Sequence, residues 1–401
     1  MSFPVIGVVG GGQLARMMAP PATALGIELR VLAEAADVSA VPAVATAPVG
    51  DYRSLDDLRA FARGVDVLTF DHEHVPTEHL LTLMAEGVNV QPGPAALVHA
   101  QDKLRMRAAV DRLGLPNPRW AAVHHVDDLV AFGHEIGWPI VLKTPRGGYD
   151  GKGVRVLGSS ADAAASIDWF GAMTPLLAEE MVPFSRELSA LIARTPSGAS
   201  RAWPVVHTVQ VDGVCDEVIA PAPNLDPAVA EAAQSAALAI ATELGVTGVM
   251  AAELFETPGR GPGFLINELA MRPHNTGHWT QDGCVTSQFE QHLRAVLDLP
   301  LGGTGVLGEW AVMKNILGGE NNDLYSAFPA ALAADADAKL HTYGKSVRPG
   351  RKIGHVNLVG RGGNDPEELR SRAARVAGVV RDGLASADFQ TNSHSDTKET
   401  A

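Results

Sequence analysis

The sequence has little cysteine, few aromatic side chains and no long apolar run. Only Cys215 and Cys284 occur among 401 residues. Two thiols so far apart build neither a disulfide framework nor a metal-ligand spacing, so a reducing cytoplasm is the expected compartment. No stretch approaches the ~20 consecutive apolar residues that span a bilayer. The opening Met1-Ser2-Phe3-Pro4 has no basic segment, so neither a membrane partner nor a signal peptide is expected. Positive charge is scarce: 32 Lys and Arg face 46 Asp and Glu, a net charge of −14. That balance argues against nucleic acid, whose phosphates draw basic surfaces. An anionic substrate would need a local cluster of cations. With 46% hydrophobic and 19% charged residues the chain reads as globular, and its length suits two to four domains.

Strand and helix patterns alternate over the first hundred residues. Pro4 to Val9 is a continuous apolar run, as in a buried parallel strand. A helix pattern from Gln13 to Leu25 contains Pro20-Pro21 and should kink or restart there. Further strands fit Leu29–Ala33 and Val65–Phe70, and helices fit Leu55–Phe61 and Glu78–Glu86. This alternation predicts a parallel α/β sheet. Helical character continues from Ala95 to Leu113. Beyond it the pattern is mixed, with strands at 139–143, 176–180 and 187–194 and a helix over 227–244. A last region carries a helix over 366–384, and the Ser/Thr/Asp-rich end, 386–401, reads as a disordered tail.

Six constellations carry chemistry. Gly10-Gly11-Gly12-Gln13-Leu14-Ala15 follows the first strand and fits G-x-G-x-x-A, with Glu34 where a ribose-binding acid would sit. The alternative is a helix N-terminus that holds another phosphate. Gly147-Gly148-Tyr149-Asp150-Gly151-Lys152-Gly153 follows a strand ending in Lys143. Such a loop can fold over a polyphosphate and offer it backbone N–H groups, with Lys143 and Lys152 as point charges; a solvated turn is the plain alternative.

Glu253 and Glu268 lie on two strand-like runs, placed symmetrically about the turn-rich loop 257–263. In a regular antiparallel pair they would face each other, Cβ atoms about 4.5–5.5 Å apart. A divalent cation would relieve their repulsion, since two carboxylates plus nucleotide phosphates is a common Mg²⁺ shell. A bulge that breaks the register, or one glutamate turned to solvent, would undo this. Met271 to Thr280 then packs Arg272, His274, Asn275, His278 and Trp279 into one loop. Four cations, Lys345, Arg348, Arg351 and Lys352, surround Pro349-Gly350 and suit a phosphomonoester. Glu179, Glu180, Met181, Val182 and Glu187 read as a strand end that presents backbone to an adenine edge and carboxylate to a ribose.

Together these motifs resemble the ATP-grasp superfamily and, within it, the PurK family of purine biosynthesis, the 5-(carboxyamino)imidazole ribonucleotide synthases. The resemblance runs from about residue 5 to 360. It rests on Gly-Gly-Gln-Leu-Ala-Arg-Met (11–17), the glycine loop (147–153), Ile-Asn-Glu-Leu-Ala-Met-Arg-Pro-His-Asn-Thr-Gly-His-Trp-Thr (266–280) and Val-Arg-Pro-Gly-Arg-Lys-Ile-Gly-His (347–355). It implies an α/β and α+β chain with an ATP-grasp fold. A Rossmann-like parallel α/β domain would span 1–102, and an ATP-grasp region 103–298 with a lid at about 118–182. A small C-terminal domain would span 299–385.

The resemblance also implies a carbon–nitrogen ligase that uses ATP, Mg²⁺ (or Mn²⁺) and bicarbonate to carboxylate 5-aminoimidazole ribonucleotide through carboxyphosphate, in a cytoplasmic homodimer. Matched by position, Lys103, Lys143, Gly148, Tyr149, Asp150, Gly151, Lys152, Gly153, Glu179, Glu180, Met181, Val182, Glu187, His207, Asn267 and Glu268 would bind ATP. Glu253 and Glu268 would hold the metal. Gln13, Glu73, Tyr149, Arg272, His274, Asn275, Lys345, Arg348, Arg351 and Lys352 would take the ribonucleotide. Arg272, Lys143, Tyr149 and Asp150 would be catalytic. The rivals are a sister ATP-grasp ligase such as formate-dependent glycinamide ribonucleotide transformylase, an NAD(P)-dependent dehydrogenase, and a non-catalytic nucleotide-binding module.

Overall fold

The structure, a computed structural model, describes residues 3–148, 153–171, 174–363 and 365–383. The tail expected at 386–401 lies outside them. Strand β1 (Val5–Val9) runs parallel between β2 (Glu28–Leu32) and β3 (Val67–Phe70). The apolar runs of β1 and β3 reflect burial on both faces, while β2 alternates Glu28 and Arg30 with buried Leu29 and Val31. Helix α1 (Gln13–Ala24) passes through Pro20 and Pro21 without the expected restart. The prolines remove only two N–H donors, and the small Ala19 ahead of them tolerates the helical conformation. A buried face of Leu14, Ala15, Met17, Met18 and Ala22, packed with Ile6, Phe289 and Leu293, outweighs that loss.

After α2 (Leu55–Ala62) and α3 (Thr77–Ala85), the helix expected over 95–113 is two: α4 (Pro94–Gln101) and α5 (Lys103–Arg112). Asp102 breaks it. Its backbone is extended (φ −136°, ψ 108°), and its carboxylate accepts the N–H groups of Leu104 and Arg105 at 3.1 and 3.2 Å. Aspartate at an N-cap competes with helix continuation in this way. Lys103 thereby becomes the first residue of a new helix.

A four-stranded antiparallel sheet follows, built from β4 (Trp120–Val123), β5 (Ile140–Lys143), β6 (Val154–Leu157) and β7 (Leu176–Glu180) in the order β4-β7-β5-β6. Helices α6 (Val126–Ile136) and α7 (Ser160–Ala165) cover it over a core of Leu129, Phe132, Ile140, Leu142 and Ala178. The glycine loop joins β5 to β6. Its base is closed by the Thr144 N–H donating to the Gly153 carbonyl at 3.0 Å. Gly153 has φ +72°, and a Cβ there would lie 2.4 Å from Thr144 Oγ1, so only glycine fits. Tyr149, Asp150, Gly151 and Lys152 lie outside the described residues.

Among the described residues the largest sheet has nine antiparallel strands. They are β8 (Arg186–Arg194), β9 (Ser200–Ala202), β10 (Val206–Val211), β11 (Val214–Ala220), β12 (Gly248–Glu256), β13 (Phe264–Ala270), β14 (Trp310–Leu317), β15 (Lys339–Thr342) and β16 (Lys352–Gly360). Its main path is β13-β12-β8-β10-β11-β14-β16-β15, with β9 on β8. One face, with Leu188, Ala190, Ile192, Met250, Ala252 and Leu254, packs on α8 (Pro227–Glu243). The other carries Leu191, Val206, Val218, Ala251 and Met313 against Trp279.

After β15, Tyr343 is fully buried in the core of the N-terminal sheet, beside Ile6, Leu14 and Met18. Its hydroxyl meets His355 Nδ1 at 2.8 Å, and its carbonyl accepts from Ser39 Oγ at 2.5 Å. The basic loop that follows is thus pinned against the N-terminus of α1. We expect Tyr343→Ala to cost about 3–5 kcal/mol in urea denaturation, as for other large buried aromatics. Tyr343→Phe should cost only about 1 kcal/mol, one hydrogen bond.

Candidate functional site

The hairpin β12–β13 sets the centre of the site. Glu253 and Glu268 are register partners, and directly opposed residues share a face. The pairing is reached through a bulge the symmetric reading did not foresee. On the loop side the partners are Leu254 with Ile266 and Phe255 with Leu265, and the register then shifts by one residue at Asn267. Without that extra residue Glu253 would face Asn267.

Register on β8 places Ser189 opposite Glu253, so Glu187, two residues earlier, shares the acidic face. Burial, with repulsion from Glu268 and Glu187, pushes the Glu253 carboxyl up to about 8, and Lys352 and Arg272 offset part of this. The side chain nevertheless keeps 27% of its surface open to a cleft. Among the described residues no group of three or more His, Cys, Asp and Glu forms a metal cage. A divalent cation held by the two glutamates would take its remaining oxygens from a ligand and water.

Cations ring this pair, and each has a partner. Lys103 Nζ lies 2.8 Å from Glu268 Oε1. Lys143 Nζ lies 2.7 Å from Glu179 Oε2 and 3.5 Å from Asn267 Oδ1. Glu179 does not offer its carboxylate to a ribose, as the strand-end reading expected. It is 3% exposed and bridges Arg107 and Lys143. Burial would raise its pKa, but the two cations bring it down to about 2. Glu180 faces the other way: it accepts from the Arg119 backbone at 2.6 Å and from Arg260 at 2.5 Å, tying the β12–β13 loop to β7. What remains for a nucleotide at 180–182 is backbone. Val182 is buried and Met181 exposed.

Glu187 is the carboxylate that faces the cleft. Burial raises its pKa, with a hydrogen bond from Gln210 and the nearby Lys143 opposing. His207 must be set aside as part of this lining. It pairs with Leu188 and Ile219, on the opposite sheet face from Glu187, among Arg186, Arg370 and Glu256. Thr208 pairs with Glu187, and Gln210, two residues on, takes the place given to the histidine. Strand parity held the signal: one residue's shift in a strand exchanges the faces.

On the acceptor side, Arg272 Nε donates to Glu73 Oε2 at 2.7 Å, joining the hairpin exit to the loop after β3. His274 Nε2 lies 3.5 Å from Glu253 Oε1. Burial, with Arg272 and Lys352, keeps this histidine well below its ordinary pKa and therefore neutral. The Asn275 amide is enclosed, with the buried Cys215 thiol as its polar neighbour. Lys345 Nζ donates to Gln13 Oε1, so the basic loop meets the start of α1. Arg348 is exposed, and Arg351 is bound to Ser346 Oγ at 2.7 Å. The structure therefore brings Arg272, His274, Lys352 and Glu187 near Glu253 and Lys103 against Glu268, with Lys143 on Asn267, Glu73 on Arg272 and Gln13 on Lys345.

The first glycine turn is occupied by the protein itself. Asp71 Oδ1 accepts the Ala15 N–H at 2.8 Å, and Glu34 Oε2 accepts the Gly11 N–H at 3.0 Å. A Cβ on Gly12 would lie 2.0 Å from Asp71 Oδ2. Two carboxylates thus take N–H groups of this turn, and Asp71 lies against Gly12 where a pyrophosphate would approach, which argues against the dinucleotide reading. Neither Asp71 nor Arg107 was picked out from sequence. The one hint for Arg107 was its place at i+4 from Lys103 and i−3 from the buried Val110.

Known proteins share this layout. The ribonucleotide synthetase preATP-grasp domain matches residues 3–101, the ATP-grasp domain 108–289, and the phosphoribosylaminoimidazole carboxylase C-terminal domain 311–372. The N5-carboxyaminoimidazole ribonucleotide synthase of Mycobacterium tuberculosis (strain ATCC 25618 / H37Rv) is 50% identical over 385 residues, covering 93% of this chain and 87% of the relative. The crystal structure of N5-carboxyaminoimidazole ribonucleotide synthetase from Thermus thermophilus superposes with TM-score 0.83 at 36% identity, covering 92% and 98%. That of the Aspergillus clavatus synthase in complex with ADP and 5-aminoimidazole ribonucleotide gives 0.84 at 30% identity, covering 94% and 99%.

The Glu253 titration has a defined sign. Its folded pKa of about 8 stands above the ordinary 4.5, so its contribution to stability is complete below 4.5 and is lost as pH rises to about 8. In chelator-treated protein, urea denaturation should show this decline, and Glu253→Gln should flatten it. Removing the neighbouring charge with Glu268→Gln should lower the Glu253 midpoint by about one pH unit, read by carboxyl infrared bands.

Proposed function

The chain belongs to the N5-carboxyaminoimidazole ribonucleotide synthases, and from that membership we propose the residue roles that follow. The enzyme is an ATP-dependent ligase that carboxylates 5-aminoimidazole ribonucleotide to its N5-carboxy product in purine biosynthesis. Bicarbonate oxygen attacks the γ-phosphorus of ATP, giving carboxyphosphate and ADP. Carboxyphosphate breaks into CO₂ and phosphate. The exocyclic amine of the ribonucleotide adds to CO₂ and gives up a proton, leaving the carbamate. The protein supplies position and charge, as in phosphoryl transfer generally.

Glu253 and Glu268 hold Mg²⁺, or Mn²⁺ in its place. What supports this is a pair of opposed carboxylates at a site where burial, and then repulsion from Glu268 and Glu187, raises the Glu253 pKa to about 8. When bound, the ion would neutralise that charge and the oxygens of the transferring phosphoryl group. Lys103, Lys143, Asn267 and the glycine loop bind the phosphates, and Glu187 with Gln210 takes the ribose hydroxyls. Residues 180–182 meet the adenine through backbone. Arg272 stabilises carboxyphosphate charge beside neutral His274, and Lys345, Arg348, Arg351 and Lys352 hold the ribonucleotide, with Gln13 and Glu73 at its edge. Tyr149 and Asp150, from the same glycine-rich motif, take part in catalysis. We also read the protein as a cytoplasmic homodimer, which rests on family membership; no described helix is long and apolar enough to cross a membrane.

The observation that carries the residue assignment is the one-face pairing of Glu253 with Glu268. A coupled assay should release ADP only when bicarbonate, Mg²⁺ and 5-aminoimidazole ribonucleotide are all present. ADP release with formate and glycinamide ribonucleotide would overturn the assignment in favour of the sister ligase. Glu268→Gln should lower kcat by about 10²-fold or more with circular dichroism unchanged, as for loss of a charge-stabilising group. Near-normal turnover would remove Glu268 from the metal site. Arg351→Ala should raise KM for the ribonucleotide about tenfold, the cost of one charged hydrogen bond, and leave KM for ATP nearly unchanged. Equal effects on both would move Arg351 out of the acceptor site.

A further inference from the structure

We propose that Arg107 is a positioning residue for ATP: it shares the buried Glu179 carboxylate so that Lys143 can turn onto the phosphates. The proposal rests on the reading of Lys143 as a phosphate ligand. Arg107 is fully buried and donates Nε–H to Glu179 Oε1 at 2.5 Å. Lys143 takes the other oxygen at 2.7 Å. The rest of the guanidinium is spent on structure. Nη1 reaches Asn117 Oδ1 at 2.9 Å and the Ile266 carbonyl at 2.5 Å, and Nη2 reaches the Asn267 carbonyl at 2.8 Å.

The two cations are not equivalent. Arg107 is planar, permanently charged and held along its whole fork by the acceptors just named, so it cannot leave. Lys143 is a single ammonium on a flexible stem with part of its side chain, 13%, open. If Lys143 were the sole partner of Glu179, turning toward ATP would strand a buried carboxylate, which is strongly unfavourable. With Arg107 in place the carboxylate stays paired when Lys143 moves. The same guanidinium fixes the carbonyls of Ile266 and Asn267, at the bulge that sets Glu268 against Glu253.

The test uses the full-length enzyme with steady-state kinetics and ADP binding by calorimetry. Arg107→Met should raise KM for ATP by about 10–100-fold, the range typical of groups that orient a ligand's direct partners, with KM for the ribonucleotide changed little. Arg107→Lys, which restores a cation to Glu179, should recover most of that loss. Arg107→Met/Glu179→Gln should also recover most of it, because an uncharged side chain leaves Lys143 free. This non-additivity marks coupling through the shared carboxylate.

Arg107→Met with KM for ATP unchanged, while Lys143→Met weakens ATP, overturns the role of Arg107 alone. Lys143→Met with ATP affinity unchanged overturns the Lys143 reading and this proposal with it. Should Arg107→Met not fold, the double variant decides: ATP binding as weak as in Lys143→Met overturns the proposal.

Discussion

Two carboxylates share one face of a hairpin, and the fold leaves their repulsion standing. Lys103 reaches Glu268, while Glu253 lies 3.5 Å from a neutral histidine and near a third acid, Glu187, with Lys352 and Arg272 offsetting only part of the effect. A proton or a cation must settle the charge. Near neutral pH the proton does so, and a divalent ion would displace it, which couples metal, proton and nucleotide in one place. The arrangement exists because of a single extra residue. The bulge at Asn267 brings Glu268 into register with Glu253, and a regular hairpin with the same loop would offer an asparagine instead. A small irregularity of backbone thus decides which side chains meet, as bulges beside functional sites commonly do.

The second feature is the treatment of positive charge. The chain is strongly acidic, yet the cleft collects lysines and arginines, each engaged before any ligand arrives: Lys103 with Glu268, Lys143 with Glu179, Arg272 with Glu73, Lys345 with Gln13. An incoming phosphate or carbonate therefore exchanges partners with these groups. Binding strength becomes a difference between two sets of charged contacts, which favours ligands that satisfy several at once. It also spares the protein isolated buried cations between turnovers. Several of these pairs cross between sheets: Arg272–Glu73 joins the large sheet's hairpin to the N-terminal unit, and Arg260–Glu180 joins it to the four-stranded sheet. The charges that await ligand also fix the relative places of the walls around it.

Much of this was legible in the residues. The parallel sheet followed from short apolar runs between helices, and the glutamate pair from two strand-like runs about a turn-rich loop. The family signatures lie where backbone or charge is constrained, so they survive as literal strings. What escaped depends on geometry that composition hides. Asp102 reads as an ordinary helix residue until its carboxylate is seen capping Leu104 and Arg105. Pro20-Pro21 reads as a stop until the buried face of α1 is weighed against two missing donors. His207 stands out as a histidine, while Gln210 shares the face of Glu187 and hydrogen-bonds to it, and only pairing with β8 separates them. Arg107 looked like one more surface charge because burial of a guanidinium leaves no mark in sequence.

The glycine turn after β1 shows why a motif needs its surroundings. A strand, three glycines, a helix and an acid some twenty residues on satisfy a dinucleotide fingerprint almost completely. The helix N-terminus does bind a carboxyl group, because its free N–H groups need acceptors. The acceptor is internal: Asp71, just past the neighbouring parallel strand, takes the Ala15 N–H, with burial raising its pKa. Its approach requires glycine at position 12, since a methyl group there would lie within bonding distance of the carboxylate. The same small residues that open a phosphate site in one fold here admit a side chain. Glu34 then serves the turn by accepting the Gly11 N–H, which removes it from any ribose. At the start of α1 the Gln13 side chain is the group that Lys345 meets. The helix has passed from binding a cofactor to positioning the basic loop.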